Sequence, residues 1–266
     1  MKKVTIFTLA ILMGCSALFA QNSFRITVGG SMPIGKFGDA EAYYSSSETK
    51  NLLKWALLDE ESKYGGAGMG FTVGLQGKFG FLGIEGLGAT VSVDGFFNFL
   101  NSDINDYFDD YKHNAFSRDD VTYISITKPK YINVAPMVGL NYQHNISESF
   151  GIYAGFGVGA NFRKITDYDI KIEGFDTYPA YKAKLYTEVE YDMAVTFAYK
   201  IGVGAVIANR VVIGLDFFRL GNAKVKGEGE TSYVNNYHNY NENVLERFRG
   251  SKINPMFLTL SVGVQF

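Results

Sequence analysis

The chain has 266 residues, a formal net charge of -2, and 47% hydrophobic, 15% aromatic and 20% charged residues. A chain this apolar and this close to neutral is not a disordered segment, and it has no basic excess with which to grip nucleic acid. The 30 Gly do not recur at every third position, which excludes a collagen repeat. Beyond residue 20 no apolar run approaches the ~18 residues a membrane helix needs, yet 18 Tyr and 22 Phe are present. The length suits one large all-β domain, which commonly runs to roughly 200 to 250 residues, or two small ones.

The N-terminus reads as an export signal. Lys2 and Lys3 precede an apolar run from Val4 to Met13, and Ala17-Leu18-Phe19-Ala20 closes it with small residues before Gln21. Residues 1–20 are expected to be removed, leaving a single domain over 21–266. The segment Leu12-Met13-Gly14-Cys15 loosely resembles a lipoprotein box, but residues 16–20 stay apolar where a lipid tether is polar, which favours plain cleavage. The mature chain would keep 23 basic and 27 acidic residues, a net charge of -4, and no cysteine. An exported chain without disulfides needs another stabilising device, and a sheet closed on itself is one.

From there the chain alternates with period two, the mark of strands with two unlike faces. In chain order the apolar sets are Phe24, Ile26, Val28 and Met32; Phe71, Val73, Leu75 and Phe79; and Leu87, Ala89, Val91, Val93, Phe97 and Phe99. Next come Ile132, Val134, Val138, Leu140 and Tyr142, then Ile152, Ala154, Phe156, Val158, Ala160 and Phe162. The last three run from Val189 through Tyr191, Met193 and Val195 to Val203, from Val211 to Phe217, and from Met256 through Leu258, Leu260, Val262 and Val264 to Phe266. Only Phe257 breaks the polar set of the last strand. Eight strands result, each with an apolar face that extends over about ten residues of chain, the length a tilted strand needs to cross a bilayer.

The opposite faces carry Arg25, Lys78, Asp94, Arg163, Glu190, Asp192, Lys200 and Asp216 among many glycines. Charges of both signs suit a narrow lumen, and glycine leaves room for longer neighbours. The expected fold is therefore all-β: a closed antiparallel up-and-down transmembrane β-barrel with lipid outside. The eight-strand count has ten as its alternative, because Lys171 to Ile172 and Tyr181 to Tyr186 could form an added pair. Connections alternate long and short, which predicts long outer loops, short periplasmic turns and both termini in the periplasm. Tyr131, Tyr142, Phe150 and Phe162 at strand ends suit aromatic girdles.

The signal peptide, the eight alternating segments and the terminal Val262-Gly263-Val264-Gln265-Phe266 resemble the small outer-membrane β-barrel families of Gram-negative bacteria, OmpX-like and OmpW-like, of the porin-family outer-membrane β-barrel type. The resemblance rests on architecture rather than on a diagnostic internal motif. It implies residence in the outer membrane after Sec-type export, contact with outer-membrane lipid, and assembly by the barrel-assembly machinery. Leu260, Val262, Val264 and Phe266 would serve as the assembly signal. The chain is expected to act as a monomer.

Candidate chemistry is sparse. The histidines are His113, His144 and His238, of which the first and last fall in outer loops. Some barrels of this kind are enzymes acting on lipid A or peptides, and His113 lies near Ser117, Asp109 and Asp110, but the spacing matches no catalytic signature. Asp103, Asp106, Asp109, Asp110, Asp119 and Asp120 crowd one loop without the EF-hand spacing. Tyr233, Tyr237 and Tyr240 lie among Asn235, Asn236, Asn239, Asn241 and Asn243, a composition able to stack on sugars or a protein. Ser45 to Ser47 before Glu48 resemble a capping box, and Leu52, Leu53, Trp55, Leu57 and Leu58 lie among charges, so a short amphipathic helix on the barrel rim is expected. No cofactor is implied and no nucleic-acid partner. The reading is a non-catalytic outer-membrane protein with a structural or interaction role, or a narrow pore, meeting any extracellular ligand or protein through its loops. An outer-membrane enzyme using a loop histidine and a secreted soluble β-protein are the alternatives.

Overall fold

A computed structural model describes residues 22–38, 66–82, 84–106, 109, 121–175, 182–235 and 240–266. Among these residues thirteen strands fall into two sheets. The barrel is built from β1 (Ser23–Pro33), β2 (Ala67–Gly80), β3 (Leu87–Leu100), β5 (Tyr131–Asn145), β6 (Phe150–Ile165), β9 (Ala194–Ile207), β10 (Val211–Arg219) and β13 (Met256–Gln265). Every neighbouring pair is antiparallel, and β1 closes against β13 from Arg25 opposite Gln265 to Pro33 opposite Phe257. The expected eight strands are therefore present, each beside its neighbour in barrel-strand sequence. Closure leaves no barrel edge with unpaired backbone groups.

All three short connections lie at one end of the barrel, spanning residues 81–86, 146–149 and 208–210, and the chain ends meet there, with the Phe24 amide donating to the Phe266 carbonyl at 3.0 Å. In the last of these turns Ala208 and Asn209 both take positive φ (51° and 55°), as the central residues of a type I′ turn do, and the Arg210 amide donates to the Ile207 carbonyl at 3.1 Å.

The long connections at the other end hold the second sheet, in the order β12-β11-β8-β7-β4. Its strands are β4 (Val121–Thr127), β7 (Tyr168–Phe175), β8 (Lys182–Tyr191), β11 (Ala223–Asn235) and β12 (Tyr240–Ile253). Each continues, across a break of two or three residues, into the barrel strand at the matching place in the order β13-β10-β9-β6-β5. The sheet is thus an upward extension of five adjacent barrel strands, while β1, β2 and β3 have no counterpart in it. The suspected extra pair is real, with Lys171 opposite Tyr186 and Ile172 opposite Leu185. It belongs to this sheet and not to the barrel wall, so ten barrel strands are not formed.

One expected strand is corrected. The alternation running from Val189 to Val203 is two strands, β8 and β9, interrupted at Asp192 and Met193. The break reverses which parity faces in. Val189 and Tyr191 are buried, whereas Met193 and Val195, of the same parity, are exposed. The reversal recurs between β6 and β7, where Phe162 is exposed but Tyr168 and Ile170 are buried. An alternation count passes through such a break unaltered, because the residues on both sides of it are apolar.

Candidate functional site: a sealed lumen beneath a surface sheet

The barrel's outward side chains are the apolar sets of the sequence. Val73, Leu75, Val91, Val138, Phe156, Ile201, Leu215 and Val262 are all exposed, and every barrel strand contributes to the belt. The inward residues are polar over the half of the lumen nearer the short turns. Lys200 Nζ lies 2.7 Å from Asp94 Oδ2, which also accepts from Ser92 Oγ at 3.1 Å. Arg25 donates to Gln265 Oε1 at 2.6 Å and to Gln143 Oε1 at 2.9 Å, with its guanidinium 4.4 Å from the Tyr153 ring centre. Lys78 donates to the Gly86 carbonyl at 2.7 Å. Asp216 completes this layer, sharing with Arg25, Asp94 and Lys200 a polar cavity of about 50 Å³.

Glycine provides the room that these side chains need. A Cβ on Gly202 would fall 1.8 Å from Asp216 Oδ1, and one on Gly88 would fall 2.5 Å from Lys78 Cγ.

The other half of the lumen is closed by aromatic rings. Phe96 stacks on Phe257 with centroids 4.8 Å apart and meets Phe218 edge-on at 4.8 Å. Phe37, from a 3-10 turn over Gly35–Phe37, packs edge-on against Phe257 at 5.3 Å and against Tyr131 at 5.1 Å. Lys200 Nζ sits 5.6 Å from the Phe218 ring and marks the boundary between the charged layer and this plug. Phe257, the one residue out of pattern in its strand, is fully buried here. Phe96 and Phe218 were not singled out in the sequence, although each has an outward phenylalanine beside it, Phe97 and Phe217. Two adjacent aromatics on opposite faces near the long-loop end of a strand were the signal available. Tyr131, expected in an outer girdle, points inward at 1% exposure, while Tyr142, Phe150 and Phe162 do face outward.

The plug continues into the buried face of the second sheet, where Tyr168, Ile170, Val189, Tyr191 and Val225 join one core with it. Arg163, 2% exposed, holds the junction rather than the charged layer: it donates to the Ile253 carbonyl at 3.0 Å and the Ala223 carbonyl at 3.1 Å, at the feet of β12 and β11. Asn161 adds bonds to Asn133 Oδ1 at 3.1 Å and the Leu220 carbonyl at 3.3 Å. Thr196 Oγ1 also donates to that Leu220 carbonyl, and Lys164 Nζ to the Tyr191 carbonyl. Of the expected lumen charges, Arg25, Asp94, Lys200 and Asp216 are gathered around one cavity, and Lys78 lies inward beyond them at the short-turn mouth. Glu190 and Asp192 are not in the lumen: Glu190 is exposed on β8, paired in register with Glu228, and Asp192 is exposed in the break.

The sheet's outward face is charged. Asp169, Glu188 and Glu230 lie side by side across β7, β8 and β11. Tyr186 donates to Glu188 Oε2 at 2.6 Å, and that carboxylate pushes its phenol up to about 12. Lys184 pairs with Glu173 at 2.9 Å.

Other expectations sit apart from these two features. His144 is exposed at the short-turn end. Asp103 and Asp106 lie on a helical turn over residues 102–106, and Asp109 pairs with Lys128 at 3.0 Å. Among the described residues no group of three or more His, Cys, Asp or Glu side chains is arranged to hold a metal ion. The rim-helix residues Leu52, Leu53, Trp55, Leu57 and Leu58, the export segment with Cys15, and His113, Asp110, Asp119, Asp120, Tyr237 and His238 lie outside the described residues.

The class the structure defines is a closed eight-stranded antiparallel up-and-down barrel with an apolar exterior, a charged inner layer and an aromatic seal. No known protein-family profile matches the chain, and no curated protein does. Among solved structures it is similar to Ail, the attachment invasion locus protein of Yersinia pestis, at 11% identity and a TM-score of 0.36, over 92% of this chain and 99% of that one. A major outer membrane protein from Thermus thermophilus matches at 12% identity and a TM-score of 0.38, over 92% and 100% of the two chains. LpxR from Salmonella typhimurium matches at 7% identity and a TM-score of 0.21, over 92% and 99%. These likenesses are loose, and the functional reading rests on this chain's own residues.

Proposed function

We propose that the chain is a non-catalytic outer-membrane barrel that does not conduct and that holds its five-stranded sheet outside the cell as an interaction surface. The observation that carries this is the pairing of a continuous exposed apolar belt with a lumen that is charged at one end and sealed by Phe37, Phe96, Phe218 and Phe257 at the other. A soluble monomer rarely exposes apolar patches beyond a few hundred Å², whereas a bilayer demands both the belt and a closed sheet. Eight strands enclose a space just wide enough for side chains to fill, and here rings fill the outer half. The core shared by plug and sheet favours a rigid platform over a channel.

Long connections outside and short turns within are the bacterial arrangement, which supports a sheet at the cell surface and both termini in the periplasm. Leu260, Val262, Val264 and Phe266 all face outward at the short-turn end of β13, where assembly machinery could read them before closure. Cysteines introduced as Lys184→Cys, on the sheet, and His144→Cys, in the short-turn end, test the arrangement. A membrane-impermeant maleimide should label the first on intact cells and the second only after lysis. The opposite pattern, or recovery of the chain in the aqueous fraction, would overturn the reading.

A further inference from the structure

We infer that the basic rim where barrel and surface sheet meet is a binding site for the phosphate of an outer-leaflet glycolipid, centred on Lys224 and Lys226; this rests on the membrane reading above. Both lysines are exposed and flank buried Val225 on β11, so they share its outward face. The Asp192 amide donates to the Lys226 carbonyl at 2.9 Å and fixes this part of β11 against the break that precedes β9. Together with Met193, Ala194 and Val195 these groups line an open hollow of about 490 Å³.

The hollow joins two chemistries at one height. Its lower wall is the top of the apolar belt, with Met193 62% and Val195 58% exposed, and its upper wall carries two ammonium groups. A free anion has no use for the apolar wall, and an uncharged lipid has none for the lysines. A lipid with a phosphorylated head and acyl chains below it uses both. Among the described residues that line the hollow, Asp192 is the one carboxylate, outnumbered two to one by the lysines.

Charge around the molecule is sorted by height in the same sense. Lys130, Arg219 and Lys252 are exposed along the same rim, with the Lys130 ammonium 5.7 Å from the ring of Phe97, a belt residue. Carboxylates are concentrated further out, at Glu188, Glu190, Glu228 and Glu230. In a chain of net charge -2 a lysine collar bordering the belt is a local reversal of sign.

The test uses the full chain folded in micelles of neutral detergent doped with bis-phosphorylated lipid A or with the same lipid stripped of phosphate, and counts retained lipid by native mass spectrometry. The phosphorylated form should be retained on the order of twenty-five-fold more than the stripped form, and Lys224→Gln/Lys226→Gln should remove that preference, at roughly fivefold per lysine. Lys184→Gln, on the distal sheet, should leave it unchanged. Inorganic phosphate at equal concentration should not displace the lipid. Equal retention of the two lipids, or a preference that survives the double substitution, overturns the inference, and displacement by inorganic phosphate overturns the lipid assignment in favour of a free-anion site. Heat-dependent gel mobility on each sample reports folding, and insertion into vesicles separates the two levels: a chain that inserts without discriminating loses only this inference, and one that does not insert loses the membrane reading as well.

Discussion

Lys200 of β9 and Asp94 of β3 meet at 2.7 Å inside the barrel although β6 and β5 stand between them around the wall. The pair therefore spans the lumen rather than decorating one strand pair, and with side chains 13% and 10% exposed it is shielded from water. Breaking a buried pair from one side strands a charge and costs about 3 to 5 kcal/mol, whereas removing both partners costs much less.

Asp94→Asn and Lys200→Met should each lower the midpoint of urea unfolding in detergent, and the double variant should recover part of the loss. Unfolding followed by gel mobility measures this. Strictly additive losses would show that the two side chains do not act as a pair.

The aromatic seal predicts an electrical result. The parent protein in a planar bilayer should show no single-channel steps, and Phe96→Ala/Phe218→Ala/Phe257→Ala should open a small conductance, because the layer beneath the rings is polar. Each truncation should also cost about 3 to 5 kcal/mol, so folded protein must be selected first by its gel shift. Steady current through the parent would show that the rings do not close the path.

Arg163 predicts a separation between sheet and barrel. It satisfies carbonyls on both β12 and β11, and such charge-assisted bonds contribute about 1.5 to 3 kcal/mol each. Arg163→Lys, with a single compact ammonium in place of the fork, should speed hydrogen exchange in β11 and β12 while amides of β2 and β3 stay protected. Uniform loss of protection in all four strands would place the effect on the barrel as a whole.

Much of this was legible in the sequence, for a physical reason. A belt against lipid needs apolar side chains at every second position over the full span, and the lumen needs the opposite, so strand count, closure and the inward placing of Arg25, Lys78, Asp94, Lys200 and Asp216 follow from alternation alone. The plug was hidden because aromatics suit either face: Phe96 beside Phe97 and Phe218 beside Phe217 read as strand or girdle residues until their partners are known. Glu190 was misplaced for a related reason. Its strand keeps its alternation across Asp192 and Met193, but the chain turns its other side inward there, and parity does not record which side is which. The surface sheet was visible only as two fragments, since its longest strands do not alternate as a lipid-facing strand does: β11 carries Gly227, Gly229 and Thr231 on one face and Lys226, Glu228 and Glu230 on the other.

The C-terminus offers a prediction about biogenesis. Phe266 exposes 74% of its surface, and its contribution to closure is made through backbone, with its amide donating to the Phe24 carbonyl at 2.8 Å. Phe266→Ser should refold in detergent micelles at close to the parent's rate and yet accumulate unassembled in cells. Pulse-chase sampling of the heat-modifiable form checks it, and parent-like assembly in cells would remove Phe266 from the assembly signal.

The one-to-one continuation of five wall strands into the surface sheet has a mechanical meaning. A partner that holds the sheet and is dragged by flow or by another cell pulls on five covalent connections at once, each directed along the length of a strand. Tension of that kind slides strands past one another against whole ladders of hydrogen bonds loaded together, rather than peeling them apart one bond at a time. A grip point built this way resists tearing out of its seat better than a loop hung from a single hairpin.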